Sequence, residues 1–259
     1  MPFKKHSYIR RNNVLFIASK KDVGLSYYFT HLAIAVKKTG NNVILISTHN
    51  QEEYGLFKEI EKAKIKHYKL KELDRIRIRT LITEAKKLGR IIDQEKVNVI
   101  HVNGFRHLLF AFLALKFFSK EKRAKIVVTI HSFLHGTPYE KLALLIEGLL
   151  INFLADLAMP VAKSVATKLI QYGAHSNKIF PVYNGVDIRI INKRNDEDIQ
   201  SSFLPINMPK SSLVIGYFAK LIPRKGHKYL IKAFSKVLRE FPNAKLVLTG
   251  EGQEMNNLK

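Results

Sequence analysis

Three basic side chains follow an apolar segment near the end of the chain. The segment 212–218 has the composition of a buried strand, and Lys220, Arg224 and Lys225 come directly after it. Gly226 then precedes a segment, 227–241, in which apolar residues recur at helical spacing. Fixed cations and the amino end of a helix both attract anions, so this arrangement predicts a site for a phosphate-bearing ligand. The alternative is that these are solvated loop side chains, as most lysines are.

A second strand, 244–249, and the run Gly250-Glu251-Gly252 complete a strand–helix–strand unit. We predict that it opens an incomplete domain, 212–259, because a domain below about 50 residues seldom buries enough apolar surface alone. The polar segment 188–211, with Pro205 and Pro209, is predicted to be a linker. Residues 1–187 then form the first domain. These boundaries predict that the chain is C-terminally truncated.

Apolar segments of two kinds alternate through the first domain. Short continuous runs predict strands, and runs with helical spacing predict helices between them, so the fold class is α/β with a doubly wound parallel sheet. The predicted helices are 25–36, 78–92, 105–118 and a buried one starting at 142. The predicted strands are 14–18, 43–46, 67–70, 97–102, 126–130, 158–162 and 179–183.

Ligands of such sheets bind at the carboxyl ends of the strands. That rule selects a set of candidate cleft residues: Gly24, Asn103, Gly104, His131, Asn184 and Gly185. Each has an alternative without function, since His131 can be a core or surface histidine and the glycines can be turn residues. His131 and His135 are four residues apart, but no cysteine or nearby carboxylate completes a metal site. We therefore expect no metal.

The formal net charge is +23, from 44 basic and 21 acidic residues. It indicates an anionic partner, or else a lysine-rich solvent surface. Nucleic acid is not expected because no recognition motif accompanies the charge. The absence of cysteine fits a cytoplasmic protein. A cluster beside the predicted helix 105–118 could contact an anionic membrane at its inner face, or be a solvated surface. It comprises Lys116, Lys120, Lys122, Arg123 and Lys125.

Taken together, these segments resemble the family 4 glycosyltransferases of the GT-B fold, over roughly residues 12–252. His101 and Gly104 after the fourth predicted strand, and His131 after the fifth, add to the resemblance. Its main anchors are 183–187 (Tyr-Asn-Gly-Val-Asp), 220–226 (Lys-Leu-Ile-Pro-Arg-Lys-Gly), 242–248 (Pro-Asn-Ala-Lys-Leu-Val-Leu) and 250–252.

The resemblance implies two Rossmann-like domains, an acceptor-side first domain and a second domain that binds a nucleotide-diphosphate sugar. It implies transfer of the sugar to a glycan or lipid-linked acceptor with retention and without a metal. His131 is expected to contact the donor sugar, Lys220, Arg224 and Lys225 its diphosphate, and Gly24 and Glu251 the donor. Asn184 and Gly185 are expected near the domain junction.

Two departures from the family pattern stand out. Lys220 occupies a position where the family has arginine, so the charge remains but the planar fork that matches phosphate oxygens is lost. A late Glu-x7-Glu segment of the family does not occur before Lys259. We therefore expect the 259-residue chain to be inactive by itself. The alternative function is a non-catalytic remnant that binds a glycan or a lipid head group.

Overall fold

The computed structural model describes residues 11–18, 23–47, 56–71, 78–131, 138–185 and 213–258. The chain divides into two compact units, Met1–Gly185 and Val186–Lys259. This division falls close to Asp187, the predicted end of the first domain. The predicted linker 188–211 lies outside the described residues.

The first unit is built on one parallel sheet of six strands in the order β3-β2-β1-β4-β5-β6. This arrangement confirms the predicted α/β class. In chain order its elements are β1 (Asn13–Ala18), α1 (Val23–Lys38), β2 (Asn42–Ser47), α2 (Leu56–Lys62), β3 (Lys66–Lys69), α3 (Ile78–Gln94), β4 (Val99–Asn103), α4 (Gly104–Leu113), β5 (Lys125–Ile130), α5 (Pro138–Leu154), β6 (Leu157–Pro160) and α6 (Lys163–Gln171).

Apolar cores cover both faces of the central strands. On β1, Leu15 and Ile17 belong to a core shared with α3, α4, α5 and α6. Val14 and Phe16 alternate with them and pack with α1 and α2. Because neither face of β1 meets water, its sequence is continuously apolar rather than alternating, which is why the strand is easy to recognise.

The predicted helix 105–118 is observed, but its last five residues do not form an α-helix. After α4 the chain continues as a π-helix, Ala114–Phe118. This wider turn packs against α3 at Gly89, where a Cβ atom would lie 2.5 Å from the carbonyl oxygen of Phe118. Glycine at that position of α3 therefore permits the close approach.

The predicted strand 179–183 is reduced to a single bridge between Ile179 and Ala158. Its backbone runs beside β6, since the Phe180 amide donates to the Ala158 carbonyl. A regular parallel ladder next requires an amide donor at Pro160, which proline does not have. The Val182 amide still donates to the Pro160 carbonyl at 2.9 Å, but without the Pro160 donor the segment forms a single bridge and no regular strand.

The helix predicted to be buried from residue 142 is α5, and it does lead into β6. Its inner face packs in the core through Ile151. The prediction of full burial is nevertheless wrong, because the other face is open to solvent. Its exposed apolar residues are Leu142, Leu145, Ile146, Leu149 and Phe153.

The second unit has the predicted strand–helix–strand order. It comprises β7 (Val214–Phe218), a 3-10 turn (Pro223–Lys225), α7 (His227–Glu240) and β8 (Lys245–Thr249). β7 and β8 pair in parallel, with Val214 opposite Lys245 and Phe218 opposite Thr249. The turn between β7 and α7 is therefore at the carboxyl end of this pair, next to the segment after β8.

Candidate functional site

A polar cluster joins α1 to the neighbouring strands β4 and β5. The Oγ1 atom of Thr129 lies 2.7 Å from Nε2 of His101. The Tyr28 hydroxyl is also hydrogen-bonded to the Thr129 side chain. The edge of the Tyr28 ring meets the ring of His131, with centroids 4.7 Å apart and planes at 86°. A continuous set of contacts therefore leads from inside the sheet to His131, the first residue after β5.

His101 is the most strongly perturbed member of this cluster. The rings of Phe16 and Phe29 pack on it, with centroids 5.1 and 5.3 Å away. Burial, and secondarily the charge of His131, lowers the pKa of His101 to about 4. At neutral pH it is an uncharged hydrogen-bonding group. Burial also raises the pKa of Tyr28, although the Thr129 hydrogen bond acts in the opposite direction. The Tyr28 hydroxyl therefore stays protonated.

His131 lies where sequence reasoning expected it, at the carboxyl end of a central strand. It is partly exposed, and its ring is in contact with Tyr28. An imidazole in this position can donate or accept a hydrogen bond with a hydroxyl of a bound molecule. Its role toward a sugar stays a prediction.

Asn103 and Gly104 form the junction between β4 and α4. Asn103 ends the strand and precedes the helix, and its carbonyl lies 3.0 Å from Nδ1 of His107. Gly104 has a φ of 68°, in the left-handed region that glycine adopts easily. A Cβ atom on Gly104 would meet nothing within 4 Å. Glycine is thus required at Gly104 by the backbone angle rather than by a crowded neighbour.

Among the described residues, three other predicted positions of the first unit have no defined contact with the polar cluster. Gly24 was expected in a loop, but it lies in the first turn of α1. Gly24 is helical because α1 begins one residue earlier, at Val23. Asn184 and Gly185 are exposed and without regular structure, at the end of the first unit. Both residues lie next to the division between the two units, and their predicted place in a cleft stays a prediction.

The basic residues of the second unit surround the turn between β7 and α7. Lys220, Arg224 and Lys225 are all exposed, while Leu221 between them is buried and anchors the turn. The Tyr217 hydroxyl donates to the Lys225 carbonyl at 2.7 Å, which fixes the end of the turn. The helix then starts behind Gly226, which has no side chain to accept from the first amide groups of α7. Those amides and the cations together favour an anion.

Gly250, Glu251 and Gly252 hold a second loop against this turn. The Leu221 amide donates to the Glu251 carbonyl at 2.9 Å. A Cβ atom on Gly250 would lie 2.0 Å from the Ala219 carbonyl oxygen, and one on Gly252 would lie 2.3 Å from that of Leu221. Only glycine fits such an approach. Glu251 is therefore presented beside the basic turn, and its predicted contact with a nucleotide stays a prediction.

His227 begins α7 and is 2% exposed. Its ring packs edge-on against Tyr217, with centroids 5.0 Å apart. Neither ring nitrogen has a hydrogen-bond partner among the described residues. Sequence reasoning treated His227 only as the start of a helix, and a histidine beside a glycine gives no signal of burial.

Two further results bear on the candidate chemistry. Within the described residues, no group of three histidine, cysteine, aspartate or glutamate side chains is arranged to hold a metal ion. In the same part of the chain, no helix combines the length and apolar character needed to cross a membrane.

Comparison with known proteins assigns the chain to a family. The model of "Glycosyltransferase Family 4" matches residues 23–189, more than half of the chain. The chain belongs to glycosyltransferase family 4. A second model, "Glycosyl transferases group 1", matches residues 198–259, so both units of this family 4 chain match glycosyltransferase models. The predicted family is confirmed.

Two curated relatives match this family 4 chain in part. One is the uncharacterized glycosyltransferase MJ1059 of Methanocaldococcus jannaschii, 24% identical over 69% of this chain and 45% of its own length. The other is a GDP-mannose-dependent monoacylated alpha-(1-6)-phosphatidylinositol monomannoside mannosyltransferase of Corynebacterium glutamicum. It is 30% identical over 29% of this chain and 20% of its own length. The chain thus spans less than half the length of either relative.

Solved structures share the fold of this family 4 chain. A glycosyltransferase from Rickettsia africae superposes with a TM-score of 0.76 at 20% identity, over 96% of this chain and 63% of that chain. Anabaena Alr3699/HepE, solved with UDP and glucose, superposes with a TM-score of 0.73 at 20% identity, over 95% and 63%. Sucrose-phosphate synthase from Thermosynechococcus elongatus gives a TM-score of 0.67 at 14% identity, over 93% and 62%. The predicted GT-B fold class is confirmed.

Proposed function

We propose that this protein transfers a sugar from a nucleotide-diphosphate sugar to a glycan or lipid-linked acceptor, with retention of configuration. The observation that carries the proposal is the basic turn at the carboxyl end of β7. Lys220 and Lys225 flank this turn in front of the amino end of α7, in a chain of glycosyltransferase family 4. No other group of side chains in the described part of the second unit offers an anionic donor a comparable combination of cations and helix amides.

The proposed reaction explains why cations are needed there. When the bond between the sugar's anomeric carbon and the diphosphate oxygen breaks, negative charge grows on the leaving diphosphate. Lys220, Lys225 and the first amides of α7 would stabilise that charge, so the transfer needs no metal ion. Arg224, exposed in the same turn, supplies a planar guanidinium that suits phosphate oxygens. His131 would contact the donor sugar, and Glu251 the nucleotide.

The names of related proteins support a choice of donors and acceptors to test. The Anabaena structure contains UDP and glucose, and the Corynebacterium relative is named as GDP-mannose-dependent with a phosphatidylinositol mannoside as acceptor. A lipid-linked acceptor would place this protein in the cytoplasm with peripheral contact at the inner face of the membrane. The strong positive charge is compatible with such contact.

A second candidate function is a non-catalytic module that binds a glycan or lipid head group. The chain spans 63% of the length of the solved glycosyltransferases it matches. We further propose that the 259 residues alone bind a donor weakly and do not transfer sugar.

Calorimetric titration with UDP-glucose and GDP-mannose tests the main proposal. Replacing Lys225 with methionine should weaken donor binding about tenfold or more, since a hydrogen bond to a charged group contributes about 1.5–3 kcal/mol. The matched control is Lys236→Met, which removes an exposed lysine from the middle of α7 and should leave binding unchanged. Equal affinity of both variants for the donor would refute the assignment of the basic turn. Binding of a glycan or a lipid head group by a chain that binds neither UDP-glucose nor GDP-mannose would favour the second function.

A further inference from the structure

The outer surface of α4 and α5 is unusually apolar for a solvent-exposed surface. The two helices pack side by side on one face of the sheet. We call this surface, together with the π-helix Ala114–Phe118 that continues α4, the α4–α5 face. Its exposed apolar residues are Phe105, Leu109, Phe117, Leu142, Leu145, Ile146, Leu149 and Phe153. Phe153 is 78% exposed and Phe117 is 67% exposed, so the largest side chains are among the most open to solvent.

The pattern along α5 shows that this exposure is systematic. Its exposed large residues recur at intervals of three and four, from Leu142 to Phe153, so they form one stripe along the helix. The opposite side, including Ile151, is buried in the core. A helix that is apolar on two opposite sides normally has something covering each of them. Soluble monomers seldom expose a contiguous apolar patch of this kind unless it binds another surface.

Cations border one end of the α4–α5 face. The segment that follows Phe117 carries four exposed basic residues, Lys120, Lys122, Arg123 and Lys125, and Lys116 precedes it. Lys125 forms an ion pair of 2.8 Å with Asp156, which lies just beyond the carboxyl end of α5. The segment is thereby attached to the end of α5 that bears Phe153.

The fold holds this basic segment in a fixed conformation. One carboxylate oxygen of Asp93 accepts hydrogen bonds from Ser119 Oγ at 2.6 Å, Lys120 N at 2.8 Å and Glu121 N at 3.1 Å. The Lys122 ammonium donates to the carbonyls of Leu115 and Lys116. The acids of this surface include Glu147 of α5, Glu121 and the paired Asp156, which are fewer than the five basic residues, so positive charge exceeds negative charge there.

We propose that the α4–α5 face is the surface by which this protein docks on an anionic lipid bilayer. The apolar stripe enters the boundary between head groups and acyl chains, and the bordering lysines contact anionic head groups. This inference deepens the proposed function, because an acceptor held in a membrane has to be reached at the membrane surface. It also assigns a role to basic residues of the first unit, whose charge is not explained by binding of a sugar donor to the second unit.

The charge distribution favours a bilayer over a second copy of the chain. Each chain has a formal charge of +23, so two copies that approach each other through their α4–α5 faces repel each other. Against an anionic leaflet the same cations are attractive, each contributing about 1 kcal/mol. A lipid surface therefore satisfies both the apolar and the charged parts of the face.

Co-sedimentation of the 259-residue chain with vesicles tests the inference, without any nucleotide sugar present. The chain should bind vesicles of phosphatidylglycerol and phosphatidylcholine in equal parts, bind phosphatidylcholine alone weakly, and be released by salt. The double variant L149S/F153S should lower the partition coefficient about tenfold through lost apolar burial. K116E/K120E should lower it by about tenfold or more on the anionic vesicles.

Matched controls distinguish an effect of the α4–α5 face from the effect of removing apolar area or positive charge elsewhere on the surface. I78S/I82S changes two residues of α3 with comparable exposure, and K58E/K62E reverses two exposed lysines of α2. Both should bind vesicles nearly as the unmodified chain does, and circular dichroism should show that every variant is folded. Size-exclusion chromatography with light scattering should show a monomer without lipid.

Several results would overturn the inference. One is sedimentation of L149S/F153S equal to that of I78S/I82S, and another is failure of the unmodified chain to bind anionic vesicles. A lipid-independent dimer that dissociates on L149S/F153S substitution would assign the face to a second copy instead. Donor titrations on the same variants keep this test separate from the proposed transfer. A variant that loses vesicle binding but still binds UDP-glucose or GDP-mannose has lost only the docking surface. That result leaves the proposed transfer untouched.

Discussion

The side chains of His101 and Thr129 lie 2.7 Å apart between two neighbouring parallel strands, and both are buried. Thr129 also bonds to Tyr28, whose ring contacts His131. A buried imidazole that stays neutral at pH 7 thus supports the group expected to meet the sugar. The buried contacts of this cluster therefore contribute to the stability of the first unit and also hold His131 in position.

The first prediction concerns acid unfolding. Because the pKa of His101 is lowered from 6.5 to about 4 in the folded chain, the unfolded chain binds its proton first as the pH falls. The stability that neutral His101 contributes is present above about pH 6.5 and is lost between there and pH 4, a change of about 3 kcal/mol. Urea unfolding at a series of pH values should show this loss in the unmodified chain and not in H101Q.

His175, which is exposed, provides the control for this titration. H175Q should follow the pH dependence of the unmodified chain. If H101Q and the unmodified chain lose the same free energy of unfolding between pH 7 and 4, His101 does not titrate as its burial implies.

The second prediction concerns Glu147, whose effect on stability changes with pH in the direction opposite to that of His101. Glu147 lies in α5, and burial raises its pKa to about 7. Protonated Glu147 therefore contributes stability that is full below about pH 4.5 and is lost as the pH rises through about 7. E147Q should be more stable than the unmodified chain at pH 8, by up to about 3 kcal/mol, and equally stable at pH 4. Thermal and urea unfolding measure the difference, with E121Q, at an exposed acid, expected to show none.

The third prediction concerns the two loops of the second unit. G250A would place a methyl group 2.0 Å from the Ala219 carbonyl oxygen, so the loops have to separate. We expect faster amide hydrogen exchange at Leu221 and a loss of about 1–3 kcal/mol of stability in this unit. G185A is the control, because a Cβ there meets nothing within 4 Å. Unchanged exchange in G250A would mean that the loops do not depend on each other.

The fourth prediction concerns the lysine that replaces the family's arginine. If Lys220 binds the donor diphosphate, K220R should bind a nucleotide sugar at least as tightly, because the guanidinium can contact two phosphate oxygens at once. K220M should bind about tenfold more weakly or worse. Calorimetric titration distinguishes these outcomes. Equal affinity of K220R, K220M and the unmodified chain would remove Lys220 from the donor site.

The fold of the first unit was largely predictable because its strands are covered on both faces. Continuous apolar runs such as β1 cannot be anything but buried, and their alternation with helices fixes a parallel sheet. The differences from prediction came where a neighbour decided the outcome. Pro160 has no amide to complete the ladder with the segment after Ile179, and contact with Gly89 accompanies the π-helix at Phe118. Neither effect leaves a periodic signal in the sequence.

The candidate site was predictable only at its outer positions. His131 could be located because it follows a strand, whereas His101 lies within β4, inside the predicted strand 97–102. The contacts of Thr129 with His101 and Tyr28 join three separate segments, and no local pattern reveals them. A polar residue inside an otherwise apolar strand, such as His101, was the one available signal. The exposure of α5 was missed because an apolar helix has the same composition whether its outer side is covered or open.

The anchoring of the basic segment by Asp93 has one more consequence. Its three hydrogen bonds outweigh the effect of burial and lower the pKa of Asp93, so the carboxylate remains ionised well into the acid range. The main chain that carries Lys120 is therefore already ordered before any encounter. A rigid array of cations loses little conformational freedom on association, so contact with an oppositely charged surface should be fast and reversible rather than coupled to local folding.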